Sequence, residues 1–383
     1  MAGIEEFLKN RQEQGLLRKL RPATSRQNGK INFGGRQYFD FSSNDYLGLS
    51  GHAELKKAAL EAIDKSGVGA CASRLLSGDA EIFHQLEEAI AAFKGKEAAL
   101  VFNSGYQANV GIISALFTKE DCIFCDRLNH ASIIDGILLS QAKFFRFRHN
   151  DCQHLELLLK KERNKFKNAL IVTESIFSMD GDRAPLKELV KLKEKFNCQI
   201  MVDEAHATGI FGQNGSGLVE EEGLSDSIDL IMGTFSKALA GFGAYLATSK
   251  TTVDYLVNTC RSFIYSTALP PSVIASNLAS LKLIKDEPQR RKTLLSMAEM
   301  LREKLEAKGF CIKGASQIIP VILGDNLRAL EFAKKIQEKG YWVMPVRPPT
   351  VPVGQARLRI SLSYCHEQET LNKLIEVISE IRI

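Results

Sequence analysis

Four short apolar runs constrain the fold of this chain more than any other feature. AALVFN (98–103), ALIVTES (169–175), QIMVDEAH (199–206) and DLIMGTFSK (229–237) each carry several consecutive apolar residues, and stretches of helical character separate them. A strand with one wet face alternates apolar and polar residues. A strand covered on both faces does not, and runs of this kind spaced by helices predict a buried, mostly parallel sheet. Each run closes in small or polar residues: Ser104-Gly105, Glu174, Asp203 and Thr234. Ligands of open α/β sheets bind beyond the carboxyl ends of the strands. The residues that end the four runs are therefore expected to converge on one site.

At 383 residues the chain exceeds what one hydrophobic core usually supports. The pattern divides it into an amino-terminal helix and arm (1–45), a large domain (46–275) and a smaller carboxy-terminal α/β domain (276–383). The first twenty residues read as an amphipathic helix, with Ile4, Phe7 and Leu8 at helical spacing. A loop at Asn28-Gly29 and a strand pair turned at Gly34-Gly35 follow. The tail reads as a long helix from Gln289 to Lys308, strands IIPVIL, YWVMPV and RLRISL, a helix Arg328–Glu338 and a final helix. The composition, 45% hydrophobic and 25% charged, is that of a folded globular protein. No apolar run approaches the roughly 20 residues that cross a bilayer, and the charged amino terminus lacks an apolar signal core. A cytoplasmic protein without membrane contact is expected.

The net charge is +5, with two basic clusters: Lys160, Lys161, Arg163, Lys165 and Lys167, and Arg18, Lys19, Arg21 and Arg26. Such clusters are ordinarily solvated faces; the alternative is attraction of an anionic partner such as coenzyme A or an acidic carrier protein. Lys143–Arg148 interleaves basic residues with phenylalanine, and its period of two reads as a half-buried strand rather than a nucleic-acid site. The eight cysteines are scattered and read as reduced thiols. Cys122 and Cys125 have metal-like spacing, but an odd offset on a strand sends their side chains to opposite faces, and no second pair completes a site. No metal is expected.

Three segments can carry chemistry. In GTFSK, Lys237 follows a strand within a loop of small residues, where its amine can reach a cofactor aldehyde while Thr234 and Ser236 bind a phosphate. Asp203 closes QIMV, and a carboxylate there can pair with the pyridine nitrogen of pyridoxal phosphate, making the ring an electron sink. An aspartate at a strand end serves equally well as a helix cap. In NSGYQAN, a glycine lets backbone amides approach a phosphate at a helix amino terminus. Each segment is weak alone. All three lie in order at strand ends.

Together with SSNDYLGLS, GACASRLLSGDAEIFHQLEEAIAAFKG, DRLNHASIIDG, TESIFSMDGDRAPL, IYSTALPP and VPVGQARLRIS, they make the chain similar, nearly end to end, to the 2-oxoamine synthases. These are fold-type I pyridoxal-phosphate transferases, aspartate aminotransferase-like, with a large domain around a mostly parallel sheet and a smaller carboxy-terminal α/β domain. The resemblance implies that Lys237 holds the cofactor as a Schiff base and later moves a proton at the substrate α-carbon. It gives Asp203 the pyridinium, His206 the phenolic oxygen and His130 the ring face. Gly105, Tyr106, Thr234 and Ser236 would serve the phosphate, with Ser178 nearby. Ser266 and Thr267 would reach the partner subunit's cofactor, implying a homodimer with shared sites. Asn44 and Arg359 would take the amino acid's carboxylate, and Arg18, His130 and Thr350 the acyl substrate.

Within the family, the run VRPPTVP (346–352) resembles the branch that joins L-alanine to a pimeloyl thioester, carried by coenzyme A or an acyl-carrier protein. The glycine and acetyl branch is the alternative. Gly243-Ala244 and Gly69-Ala70-Cys71-Ala72 depart from the glycine-richer family pattern by small-for-small changes that bear on substrate fit. A nicotinamide dehydrogenase would need a third glycine after Gly67-Val68-Gly69, and that glycine is missing. A catalytically silent subunit would be expected to lack Lys237, Asp203 and His206.

Overall fold

The computed structural model describes residues 2–381 and divides the chain into two compact units. One comprises Leu49–Phe177 and Arg183–Arg291; the other gathers the chain up to Gly48, the short loop Ser178–Asp182 and the chain from Lys292 onward.

The first unit is built on a sheet in which seven strands are found among the described residues. Their order is Ala98–Phe102, Ala244–Thr248, Leu230–Thr234, Gln199–Asp203, Ala169–Glu174, Cys122–Asp126 and Lys143–Phe147. Ala244–Thr248 is antiparallel to both neighbours, and the remaining pairings are parallel. All four apolar runs are strands of this sheet, and those at its centre are buried on both faces. Leu100, Ile112, Ile133, Leu170, Met201 and Leu230 belong to one core, and none of these six exceeds 2% exposure. Lys143–Phe147 forms the sheet edge, which accounts for its exposed Lys143 and Arg146.

The antiparallel strand matters for the site. Ala244 pairs with Thr234 on one side and with Phe102 on the other, so loop 235–243 turns at the same sheet end where the parallel strands finish. Gly243 makes that return possible. Its φ is +99°, and a β-carbon there would lie 2.9 Å from both the Phe102 carbonyl oxygen and Leu269 Cδ1.

The second unit holds two small sheets. One runs Ser25–Gln27, Lys30–Phe33, Arg36–Asp40, Tyr341–Trp342; the other runs Ile318–Gly324, Ala356–Ser361, Pro345–Val346. Helices Asn326–Glu338 and Gln368–Glu380 bury apolar faces, including Phe332 and Ile336 in the first and Leu371 and Leu374 in the second.

Three local expectations need correction. The first helix ends at Glu13 rather than near residue 20, because Gly15 adopts φ +64° and breaks it. The Asn28-Gly29 loop is a tight hairpin turn. Both residues have positive φ (50° and 70°), which suits the twist of the flanking strands Ser25–Gln27 and Lys30–Phe33. YWVMPV is two short strands pairing in different sheets, Tyr341–Trp342 and Pro345–Val346.

Candidate active site

The carboxyl ends of five strands wall one cavity of about 170 Å³. Helix Gly105–Leu116 begins there, directly after strand Ala98–Phe102, capped by Ser104, whose side chain accepts from the Gln107 N–H. Its first turn offers backbone N–H groups and the positive end of the helix dipole, a natural receptor for an anion. Gly105 is packed closely: a β-carbon would come within 3.3 Å of Met232 Cε.

Asp203 ends its strand 5% exposed. Oδ1 accepts from the Ala205 N–H at 2.9 Å and Oδ2 from Asn109 Nδ2 at 2.9 Å. These bonds aim the carboxylate while leaving lone pairs for a further donor. From the next strand, Thr234 Oγ1 lies 2.7 Å from Ser236 Oγ and accepts from the Ser236 N–H at 2.9 Å. That turn presents Lys237, half-buried, to the same cavity. Bonds from Ala240 N to the Lys237 carbonyl and from Ser280 Oγ to the Leu239 carbonyl, at 2.9 and 2.6 Å, hold the turn in shape.

His130 caps helix Ala131–Ser140 and lines the cavity. Desolvation by the cavity wall is the largest influence on its imidazole and pushes its pKa down, with Lys237 acting in the same sense and the carboxylates of Asp203 and Asp135 opposing. His206, 7% exposed, and Glu174, 3% exposed, complete the wall. The Tyr106 hydroxyl donates to the Asp135 carboxylate, which raises the phenol above its usual pKa.

The cavity therefore brings together Gly105, Tyr106, His130, Asp203, His206, Thr234, Ser236 and Lys237. Ser266 and Thr267 do not line it. Ser266 Oγ accepts from Gln107 Nε2 at 3.3 Å, and the Thr267 carbonyl accepts from Asn103 Nδ2 at 2.7 Å. Ser178, Asn44, Arg18, Thr350 and Arg359 belong to the second unit. There the Arg359 guanidinium, 8% exposed, donates to the Ser178 carbonyl at 2.6 Å, to Asn44 Oδ1 and Tyr46 Oη at 3.2 Å, and to Ser361 Oγ. Arg18 Nη2 donates to Thr350 Oγ1 at 2.9 Å, so these two distant predicted residues do meet.

Sequence reasoning assigned no role to Asn109 or Ser132, which also line the cavity. The signal for Asn109 was available. It falls four residues after Gly105, one helical turn on, and so shares its face.

The donor set suits a flat aromatic anion bearing an aldehyde. It supplies a helix amino terminus and two hydroxyls for a phosphate, a fixed carboxylate for a protonated ring nitrogen and an amine for the carbonyl. Asn109 Oδ1, buried with no hydrogen-bond partner among the described residues, leaves the polar wall room for a further donor. Among the described residues no cluster of histidine, cysteine or carboxylate could hold a metal. Cys122 and Cys125 are buried in strand Cys122–Asp126, and burial raises both thiols to about 12.

A family model described as aminotransferase class I and II matches residues 36–378. Curated relatives named 8-amino-7-oxononanoate synthase include one from Geotalea daltonii, 46% identical over 100% of this chain and 98% of its own length. Another, from Geobacter sulfurreducens, is 47% identical over 98% and 96%. Among solved structures, a serine palmitoyltransferase from S. paucimobilis with bound PLP–myriocin aldimine superposes with TM-score 0.92 at 31% identity, covering 98% of this chain and 96% of that one. An 8-amino-7-oxononanoate synthase from Francisella tularensis superposes with TM-score 0.78 at 33% identity, covering 90% and 97%.

Proposed function

The chain belongs to the aminotransferase class I and II family, and from that membership we propose that it performs the reaction of an 8-amino-7-oxononanoate synthase with pyridoxal phosphate as cofactor. L-alanine and a pimeloyl thioester give 8-amino-7-oxononanoate, carbon dioxide and the free thiol. The convergence of Lys237, Asp203 and His130 on one cavity beyond the strand ends carries this reading.

Bound pyridoxal phosphate supplies an electron sink for the charge that develops at the amino acid's α-carbon. The protein's work is to bind, aim and move protons. Lys237 holds the cofactor and exchanges a proton at the α-carbon. Asp203, fixed through Ala205 and Asn109, holds the ring-nitrogen proton. His206 would serve the phenolic oxygen, and the first turn of helix Gly105–Leu116 would receive the phosphate with Tyr106, Thr234 and Ser236. Ser178, in the second unit, is also assigned to the phosphate. His130, kept neutral, would lie against the cofactor ring and serve the acyl substrate. In the second unit Arg18 and Thr350, bonded to each other, are assigned to the acyl substrate. Arg359 and Asn44 take the amino acid's carboxylate. Ser266 and Thr267 serve the partner subunit's phosphate in a homodimer. The thiol carrier is coenzyme A or a carrier protein. We place the enzyme in the cytoplasm; among the described residues no helix is long and apolar enough to cross a membrane.

Product analysis with purified protein tests the reading. L-alanine plus pimeloyl thioester should yield the amino ketone at a rate well above glycine plus acetyl-CoA. The reverse preference would move the chain to the glycine branch, and no product from either pair would sink the proposal.

A further inference from the structure

Asn109 and Ser132 form a hydrogen-bonded line between the two residues assigned to the cofactor ring. Asn109 Nδ2 donates to Asp203 Oδ2 at 2.9 Å and to Ser132 Oγ at 3.0 Å. Ser132 Oγ lies 2.7 Å from His130 Nδ1, and the Ser132 backbone N–H approaches the same nitrogen at 3.3 Å.

The polarity of the line follows from what each group can do. A backbone N–H only donates, so Nδ1 is an acceptor and carries no proton. An ionised carboxylate only accepts, so Asn109 presents its amide nitrogen, not its carbonyl, to Asp203. The Ser132 hydroxyl then accepts one amide hydrogen, and its own hydrogen is left for Nδ1. The imidazole proton therefore sits on Nε2. Asn109 is 1% exposed and Ser132 is fully buried, so solvent competes little for these bonds. The cost of this orientation is visible at Asn109 Oδ1, which is buried with no hydrogen-bond partner among the described residues.

We propose that Asn109 and Ser132 are positioning residues that lock His130 as its neutral Nε2–H tautomer and hold it in one fixed orientation relative to Asp203. Four influences act on the imidazole: desolvation, the largest, and Lys237 oppose its charge, while Asp203 and Asp135 favour it. The hydrogen-bonded line adds to the side that keeps it neutral. The consequence for catalysis rests on the proposed cofactor; the tautomer belongs to the protein alone.

The test is nitrogen-15 NMR of the histidine-labelled holoenzyme between about pH 5.5 and about pH 8.5, the interval in which an ordinary imidazole titrates. His130 is assigned by loss of its signals in His130→Gln. The wild type should show a protonated Nε2 and a bare Nδ1 throughout. Ser132→Ala should mix the tautomers, raise the His130 pKa by about one unit, and weaken pyridoxal phosphate binding about tenfold by absorbance titration. Ser132→Thr, which keeps the hydroxyl, should restore both. A proton on Nδ1 in the wild type, or unchanged tautomer and affinity in Ser132→Ala, overturns the proposal. Wild-type protein that takes up no pyridoxal phosphate would instead overturn the cofactor reading, and the imidazole spectrum would still judge the tautomer.

Discussion

Two lysine neighbourhoods flank the end of strand Gln199–Asp203, and they use their charge differently. Lys94, 2% exposed at the end of helix Glu81–Lys94, has its ammonium 2.8 Å from Glu204 Oε2 and 3.2 Å from Thr208 Oγ1, and it also donates to the Ser216 carbonyl. Glu204 Oε1 accepts from the Val219 N–H at 2.9 Å. Desolvation is the largest influence on Lys94 and opposes its charge, yet Glu204 and Tyr245 together raise the ammonium above its usual pKa. One residue earlier in sequence, Asp203 faces the cavity that Lys237 lines. Its two protein bonds fix the carboxylate without exhausting it.

The same division recurs in the second unit. Arg357 and Arg359 lie two apart on strand Ala356–Ser361 and so point to the same face. Arg357 is paired with Asp180 at 2.9 Å, whereas the four acceptors of Arg359 are all neutral. Among the described residues Arg359 has no carboxylate partner. His366 is bonded at both ring nitrogens, by the Ser363 N–H and by the Asp40 carbonyl, each at 3.2 Å; among the described residues His130 is bonded at Nδ1 alone. A buried polar group whose capacity is filled internally is structural. One whose position is fixed while capacity remains is ready for a ligand.

The largest expected effect tests the reactive side. Lys237→Ala should lower turnover by about 10⁴-fold, the upper range for a positioned acid–base group, with little change in melting temperature. A parallel loss of fold would erase the distinction. On the structural side, Lys94→Met should cost roughly 3–5 kcal/mol by chemical denaturation, because Glu204 is left buried and unpaired. Lys94→Met/Glu204→Leu should recover much of that loss.

The histidine contrast is read by pH. Burial lowers His366 from 6.5 to about 4, so the unfolded chain binds its proton first on acidification. Its contribution is complete above the unfolded value and is lost as pH falls from there toward about 4. The loss should total roughly 3 kcal/mol and be absent in His366→Asn. Lys94 has the opposite sign. Its raised pKa keeps the ion-pair contribution intact through neutral pH, and it disappears only in strong alkali. The smallest effect separates the arginines. Arg359→Met should raise KM for the amino acid about 100-fold, the loss of a charge-assisted bond pair, with modest change in stability. Arg357→Met should do the reverse, which melting curves and substrate titrations would reveal together.

Much of the site was legible because strand ends in a parallel sheet are both a sequence signal and a place. Four apolar runs located Gly105, Glu174, Asp203 and Thr234, and one cavity gathers them. Asn109 and Ser132 were missed as working residues because their role depends on each other and on Asp203, across gaps of 23 and 94 positions. The first helix was overextended because periodic apolar residues do not mark where φ turns positive, as it does at Gly15. The loop at Asn28-Gly29 hid a hairpin whose first strand, Ser25–Gln27, is fully exposed and has no apolar pattern to betray it.

The sequence alone determined the sheet and placed Asp203 and Lys237 beyond its strand ends, because consecutive apolar residues must be buried on both faces and the polar residues that stop them fall where the sheet stops. Only the tertiary structure decided which lysine is buried in an ion pair and which lines the cavity. Lys94 and Lys237 are the same residue type near the same strand end, and the sequence around Lys94 does not reveal that Glu204 lies against it. What separates them is where packing puts them: Lys94 is buried against Glu204, 110 positions away in sequence, while Lys237 lines the cavity, and that is settled only when the chain has packed.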